Sequence, residues 1–198
     1  MLTIGISGKM GSGKTTLAND IIKHFFEMPF RYLNFADALR EKIWQDFSLE
    51  RLGFMPHDLV KPNVKEINLS HDKTVRQALQ MIGQAYRDID EDYWVSQYQN
   101  MFILGWEEGL VTVTSDVRYL NEVKCIEEMD GIVLRLTRQV NNDQHESETA
   151  LDNWAWKPEQ FIDNQDMTED QTFKAALTII EPYLKGNTCL KARLNEKS

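Results

Sequence analysis

Residues 8–15 read Gly8-Lys9-Met10-Gly11-Ser12-Gly13-Lys14-Thr15 and fit the pattern G-x-x-x-x-G-K-[ST]. The apolar stretch 2–7 before this segment predicts a buried strand. After it, apolar residues recur at helical spacing from Leu17 to Phe26, which predicts a helix beginning near Lys14. A glycine-rich turn between a strand and a helix N-terminus directs main-chain N–H groups at an anion. The segment therefore predicts a phosphate-binding loop, a P-loop.

The loop also predicts individual roles for its side chains. Lys14 is a mobile positive charge suited to the terminal phosphates of a nucleotide, and the Thr15 hydroxyl is suited to Mg²⁺. The expected nucleotide-binding set is Gly8, Gly11, Ser12, Gly13, Lys14, Thr15 and Thr16.

The composition suits a single domain over residues 1–186, followed by a polar tail at 187–198. The net charge of −9 argues against nucleic acid as the main partner. Cys125 and Cys189 are too few and too separated in sequence for a disulfide framework or a zinc site. With neither a signal peptide nor a membrane-spanning apolar run, we expect a cytoplasmic protein with no membrane partner.

Predicted strands and helices alternate along the chain. Further strands are expected at 31–36, 110–114, 132–136 and 160–163, and helices at 37–44, 74–87, 94–105, 120–129 and 173–184. Residues 48–72 are expected to form loops and short turns, so that 48–105 becomes a mainly helical region. This alternation predicts an α/β fold of three layers, α/β/α, around a mainly parallel sheet.

Charged residues follow several predicted strands, where ligands bind in parallel α/β sheets. Asp37 and Arg40 follow the second strand, Asp116 and Arg118 the third, and Arg135 and Arg138 lie at the end of the fourth. An aspartate there suits Mg²⁺, and arginines suit phosphates. Structural alternatives are an N-cap for Asp37, a turn for Asp116, surface charges for Arg40, Arg76 and Arg118, a core-edge ion pair for Arg135, and a polar loop position for His145. The residues favour a small phosphotransferase, and the Asn-Lys-x-Asp guanine motif of GTPases is absent.

Several segments resemble the deoxynucleoside monophosphate kinases of bacteriophages, a branch of the P-loop nucleoside monophosphate kinases. They are GKMGSGKTT at 8–16, FADALREKI at 35–43, TVRQALQMIGQAYR at 74–87, SDVRYLNEV at 115–123, DQHESE at 143–148 and IDNQDMTED at 162–170. The resemblance implies transfer of the γ-phosphate of ATP to a deoxynucleoside 5′-monophosphate, with Mg²⁺. The phage enzymes carry an aspartate directly after the P-loop lysine, where this chain has Thr15.

The resemblance also implies roles for single residues. Lys14, Arg118, Arg138 and Asp116 would be catalytic, with Asp116 and Thr15 at the metal. The acceptor would meet Asp37, Arg40, Arg76 and Arg87, together with Gln80 on the polar side of the same helix. Residues 138–150 would form a small lid. The sequence leaves open whether the protein forms a homodimer. Dephospho-coenzyme A kinase, phosphomevalonate kinase and a nucleotide-binding regulatory module remain alternatives.

Overall fold

The computed structural model describes residues 2–25, 29–69, 73–104, 110–138 and 149–186. The chain divides into two compact units: the first comprises Met1–Asn34 and Gly105–Ser198, and the second comprises Phe35–Leu104. Most of the predicted lid, residues 139–148 with His145, lies outside the described residues, as does the tail at 187–198 with Cys189. The lid and the tail therefore stay predictions.

The described helices and strands follow the predicted order. The strands are β1 (Leu2–Ser7), β2 (Phe30–Tyr32), β3 (Val111–Val117), β4 (Ile132–Leu136) and β5 (Phe161–Ile162). The helices are α1 (Lys14–His24), α2 (Asp37–Asp46), α3 (Pro62–Lys65), α4 (Val75–Ile89), α5 (Tyr93–Leu104), α6 (Leu120–Glu128) and α7 (Glu169–Gly186). None of these helices is long and apolar enough to cross a membrane.

All five strands form one parallel sheet in the order β2-β3-β1-β4-β5, which confirms the α/β class. Ile4 and Ile6 of β1 pack in one core with side chains of α1 and α7. Gly5 lies between them and faces the other side, where an added methyl group would come 2.6 Å from Ile126 Cδ1 of α6. Because neighbouring strand residues point to opposite faces, helices cover both faces of the sheet and the three-layer prediction is confirmed.

Strands β2 and β3 differ most from the sequence prediction at their ends. Strand β2 ends at Tyr32 instead of residue 36, because the Asn34 side chain takes over the pairing: its Oδ1 accepts a hydrogen bond from Ser115 N at 2.9 Å. Strand β3 continues to Val117, past the predicted end at residue 114. Gly5 pairs with Thr114 and Ser7 with Val117, so β3 carries one extra residue opposite β1, a bulge.

The second unit is helical and begins at Phe35, before the region 48–105 that the sequence analysis set apart. Its core contains the predicted apolar face of α4, with side chains from α2 and α5 packed on it. Thr74 caps α4: its hydroxyl accepts from Gln77 N at 3.2 Å, while Gln77 Oε1 accepts from Thr74 N at 3.0 Å. The prediction of Asp37 as an N-cap is wrong, because Ala36 precedes the helix and Asp37 is its first residue.

Substituting Gly5→Ala should test the packing of α6 on β1. The new methyl group would meet Ile126 Cδ1 at 2.6 Å and Val117 and Val133 at 3.1 Å, so we expect a loss of about 1–3 kcal/mol in the free energy of unfolding. Ile126→Val removes Cδ1, and Gly5→Ala should therefore cost less in that background. Urea unfolding of the two single variants and the double variant measures this coupling, and strictly additive losses would contradict the described contact.

Candidate functional site

The phosphate-binding loop connects β1 to α1 and depends on glycine for its shape. Gly8, Gly11 and Gly13 all have positive φ, at 150°, 82° and 97°. At Gly8 a Cβ would also lie 2.5 Å from Ser12 Oγ and 2.9 Å from the main-chain oxygen of Leu136. Any larger residue there would push the loop away from β4, so the chain can make this tight turn only with glycine.

Lys14 opens α1 and folds back over the loop that precedes it. Its side chain is nearly buried, at 9 % exposure, and Nζ donates to the main-chain oxygens of Gly8 and Lys9, the second at 2.7 Å. The first turn of α1 contains no acidic residue. The ammonium group and the positive end of the helix dipole therefore act together at the loop, as an anion site requires.

Ser12 contributes a hydroxyl inside the loop. The residue is fully buried, and its Oγ has no hydrogen-bond partner among the described residues. A buried hydroxyl without a partner is costly, and a bound phosphate oxygen would satisfy it. Thr15 is exposed on the first turn of α1, while Thr16 lines a small cavity of about 30 Å³ beside Asn164 and Arg138.

Asn164, which follows β5, links two parts of the site. Its side chain is 1 % exposed; Nδ2 donates to Ser12 O at 2.9 Å, and Oδ1 accepts from Arg138 N at 2.9 Å. The Arg138 guanidinium donates to the main-chain oxygens of Asn164, at 2.8 Å, and Met167, at 2.6 Å. Arg138 is thus fixed against the loop between β5 and α7, and its predicted catalytic role stays a prediction.

Sequence reasoning missed Asn164, although a signal for it exists. The residue is polar and follows a predicted strand, the same criterion that selected Asp116. The sequence also left the ion-pair alternative open for Arg135. The structure confirms that ion pair, because Arg135 Nη2 lies 3.0 Å from Asp152 Oδ1.

Asp116 lies in the bulged part of β3, one residue before Val117, which pairs with Ser7 at the start of the loop. It is therefore inside the strand and not after it. A bulge beside a ligand site redirects side chains, and here it affects the residue predicted to hold the metal. Arg118 follows directly, and its main-chain N donates to Glu122 Oε2 at 2.7 Å, which fixes the turn into α6. The metal role of Asp116 and the catalytic role of Arg118 stay predictions.

The five residues predicted to bind the acceptor all belong to the second unit. Asp37 and Arg40 form an ion pair within the first turn of α2. On α4, Arg76 donates to Glu66 through Nε at 2.9 Å and Nη2 at 2.8 Å, and Arg87 Nη1 donates to Gly83 O at 3.3 Å. Gln80 is half-buried one turn after Arg76. The spacing of 76, 80 and 87 places these three residues along one side of α4.

By sequence, the chain is similar to a viral protein. No protein-family model matches the chain. The chain is 27 % identical over 168 residues to the "Putative deoxynucleotide monophosphate kinase" of Acanthamoeba polyphaga mimivirus, covering 76 % of this chain and 82 % of that protein.

Two solved structures of APS kinases show a weaker likeness. The enzyme of Mycobacterium tuberculosis has a TM-score of 0.42 and 13 % identity over 90 % of this chain and 96 % of that one. The hexameric enzyme of Thiobacillus denitrificans has a TM-score of 0.40 and 18 % identity over 92 % of this chain and 29 % of that one. These scores add nothing to the fold class, which follows from the strand order described above.

Replacing Asn164 by Asp should destabilise the protein in a pH-dependent way. The carboxylate would face Ser12 O without a donor, so we expect a loss of about 1–3 kcal/mol in the free energy of unfolding at pH 8. Burial raises the pKa of such a carboxyl in the folded state, and the protonated form regains a donor. The loss in the free energy of unfolding should therefore be small near pH 4, where the carboxyl is protonated, and grow as the pH rises.

Urea unfolding at several pH values measures this effect. Asn153→Asp is the matched control, because it adds the same charge at an exposed position of the same unit. Equal behaviour of the two variants would show that the Asn164 hydrogen bonds contribute nothing to folding.

Proposed function

We propose that the protein is an ATP-dependent kinase that transfers the γ-phosphate of ATP to a deoxynucleoside 5′-monophosphate. The observation that carries the proposal is the loop 8–15, where the Lys14 ammonium and the N-terminus of α1 meet the Ser12 hydroxyl, which has no hydrogen-bond partner in the described part of the chain. These groups provide the positive charge and hydrogen-bond donors that bind the phosphates of a nucleoside triphosphate. The mimivirus relative, named for deoxynucleotide monophosphates and matched over most of both chains, supports the choice of acceptor.

Mg²⁺ with ATP fits the residues present. Thr15 is exposed and Asp116 half-exposed, and both carry oxygen atoms of the kind that Mg²⁺ prefers. The described residues contain no group of three or more His, Cys, Asp or Glu side chains able to hold a metal. That suits an ion bound by one or two side chains and the substrate phosphates. When bound, Mg²⁺ would neutralise part of the phosphate charge.

In the transfer itself the protein positions positive charge at the phosphates. The bond from the γ-phosphorus to the β-phosphate oxygen breaks, and a bond to a phosphate oxygen of the acceptor forms, giving ADP and a deoxynucleoside diphosphate. Lys14 holds positive charge at the transferring group, and Arg118 and Arg138 are proposed to add to it. The Asn164 side chain links Arg138 to the loop, because it accepts a hydrogen bond from Arg138 N and donates one to Ser12 O.

The second unit is proposed to bind the acceptor. Arg76 has a partner that a phosphate can replace, because its ion pair with Glu66 is exposed to water. Arg87, further along the same side of α4, donates to the main-chain oxygen of Gly83. Guanidinium groups bind phosphate through two parallel hydrogen bonds. Arg76, Gln80 and Arg87 along one side of α4 would thus offer charge to the monophosphate and a polar contact to the remainder of the nucleotide.

A panel of acceptors tests this proposal. With ATP and Mg²⁺ present, ADP release should occur with one or more deoxynucleoside monophosphates. Turnover only with dephospho-coenzyme A or phosphomevalonate would replace the acceptor with one of these. Tight ATP binding without turnover of any acceptor would favour a regulatory nucleotide-binding module.

Replacing Lys14 by Ala should leave a folded protein with little transfer activity. The loss of one charge at the transferring phosphate is expected to cost about 3–4 kcal/mol in the activation barrier, a few hundredfold in kcat. Lys23→Ala is the control, since it removes a lysine charge from an exposed position of the same helix. A Lys14→Ala rate within threefold of the parent would remove the loop from the mechanism.

Arg76 and Glu66 allow a matched test of the acceptor site. If Arg76 binds the acceptor phosphate, Arg76→Ala should raise the acceptor KM by about tenfold to a hundredfold, the value of a charge-assisted hydrogen bond. Glu66→Gln breaks the same exposed ion pair but keeps the guanidinium, so its KM should change little. Similar KM values for both variants would make Arg76 a structural residue only.

A further inference from the structure

The carboxylate of Asp152 contacts two cations, one through each oxygen. Oδ1 lies 3.0 Å from Arg135 Nη2, and Oδ2 lies 3.0 Å from Lys9 Nζ. Asp152 belongs to a short turn in which its main-chain N donates to Thr149 O at 2.9 Å. Thr149 belongs to the predicted lid 138–150, whereas Asp152 lies two residues beyond it, at a position to which the sequence assigned no function.

Both cations belong to segments that define the phosphate-binding loop. Arg135 pairs with Ser7 across β4 and β1, and its Nη1 donates to the buried Ser7 Oγ at 3.0 Å. Lys9 is the second residue of the loop, and its main-chain oxygen accepts from Lys14 Nζ at 2.7 Å and from Ser12 N at 3.1 Å. Through Arg135, Asp152 is therefore linked to Ser7 at the start of the loop. Through Lys9 it is linked to the residue whose main-chain oxygen accepts from the Lys14 ammonium.

The surroundings strengthen these ion pairs. Arg135 is only 9 % exposed, and its guanidinium lies 5.7 Å from the ring centroid of Trp156. Trp154, Trp156 and Phe161 are among the residues that line a cavity of about 260 Å³ beside Lys9 and Asp152. Charges attract more strongly beside apolar walls than in open water. Without the carboxylate, a nearly buried guanidinium and a neighbouring ammonium would lose the counter-charge that they share.

We propose that Asp152 is a positioning residue for the phosphate-binding loop: by holding Lys9 and Arg135 it fixes the loop in the shape that receives the nucleotide phosphates. The role rests on the proposed function, since it concerns the same nucleotide site. Asp152 acts on the loop through Lys9, and its pair with Arg135, which donates to Ser7 Oγ, holds the carboxylate beside the start of the loop. Its loss should therefore weaken phosphate binding more than it slows transfer from bound ATP.

The first experiment measures binding of ATP and of inorganic tripolyphosphate to the full chain by calorimetry. Asp152→Asn keeps an acceptor for Arg135 but loses the charge that holds Lys9, so we expect affinity for both probes to fall about tenfold or more. The KM for ATP should rise by a similar factor, with kcat at saturating ATP within about threefold. Asp170→Asn is the control, because it removes an exposed ion pair with Lys174 from the same unit.

The second experiment tests whether Asp152 works through Lys9. Lys9→Gln leaves the pair of Asp152 with Arg135 in place and should by itself weaken binding of both probes. Adding Asp152→Asn to the Lys9→Gln variant should then weaken the binding of ATP and of tripolyphosphate by less than about threefold relative to Lys9→Gln alone. Because Lys9→Gln keeps the buried pair, it gives an answer even if Asp152→Asn does not fold, as checked by urea unfolding.

The outcomes separate the two proposals. A parent protein that binds neither ATP nor tripolyphosphate overturns the proposed function, and this inference with it. A parent that binds both, together with Asp152→Asn or Lys9→Gln binding within twofold of it, overturns the role of Asp152 alone. Losses that multiply in the double variant also overturn it, because they show that Asp152 does not act through Lys9.

Discussion

The Lys14 ammonium group donates hydrogen bonds to two main-chain carbonyl groups at the start of its own loop. The rest of the site is arranged around that contact. A charge removed from water must regain hydrogen bonds, or its burial is too costly. The carbonyl groups of Gly8 and Lys9 provide them only while the loop keeps its tight turn. Glycine at position 8 permits the turn, and β4 packs directly against it.

The order of the strands explains why distant parts of the chain support this loop. Strand β1 lies between β3 and β4, so Ser7 has Val117 on one side and Arg135 on the other. In a parallel sheet all carboxyl ends reach one edge, where ligands bind. The bulge in β3 and the residues after β5 are thereby brought to the same edge as the loop.

Charge is distributed differently in the two units. In the first, Lys9 and the nearly buried Arg135 share the carboxylate of Asp152, whose side chain is 34 % exposed, and the Arg135 guanidinium lies 5.7 Å from the ring centroid of Trp156. In the second, the pair of Arg76 with Glu66 is exposed to water, and such pairs contribute little to stability. The first arrangement suits a permanent structural role, whereas the second can exchange one anion for another.

The sequence by itself determined the α/β class, the layers and the phosphate-binding loop. These follow from local patterns: alternation of strands and helices, apolar periodicity and glycines at fixed spacing. The predicted ends of strands β2 and β3 were less accurate. In β2 a side chain of Asn34 replaces the main-chain pairing, and in β3 an extra residue is accommodated, and neither leaves a periodic signal.

Only the tertiary structure decided which polar residues support the loop. Asn164 lies 152 positions after Ser12, and Asp152 lies far from Lys9 along the chain, so no local pattern links them. Arg135 was ambiguous because a strand arginine has the same pattern whether it binds a ligand or a carboxylate. The physical reason is that hydrogen bonds and ion pairs depend on distance in space, which sheet order fixes, whereas periodicity reports only which face of an element is buried.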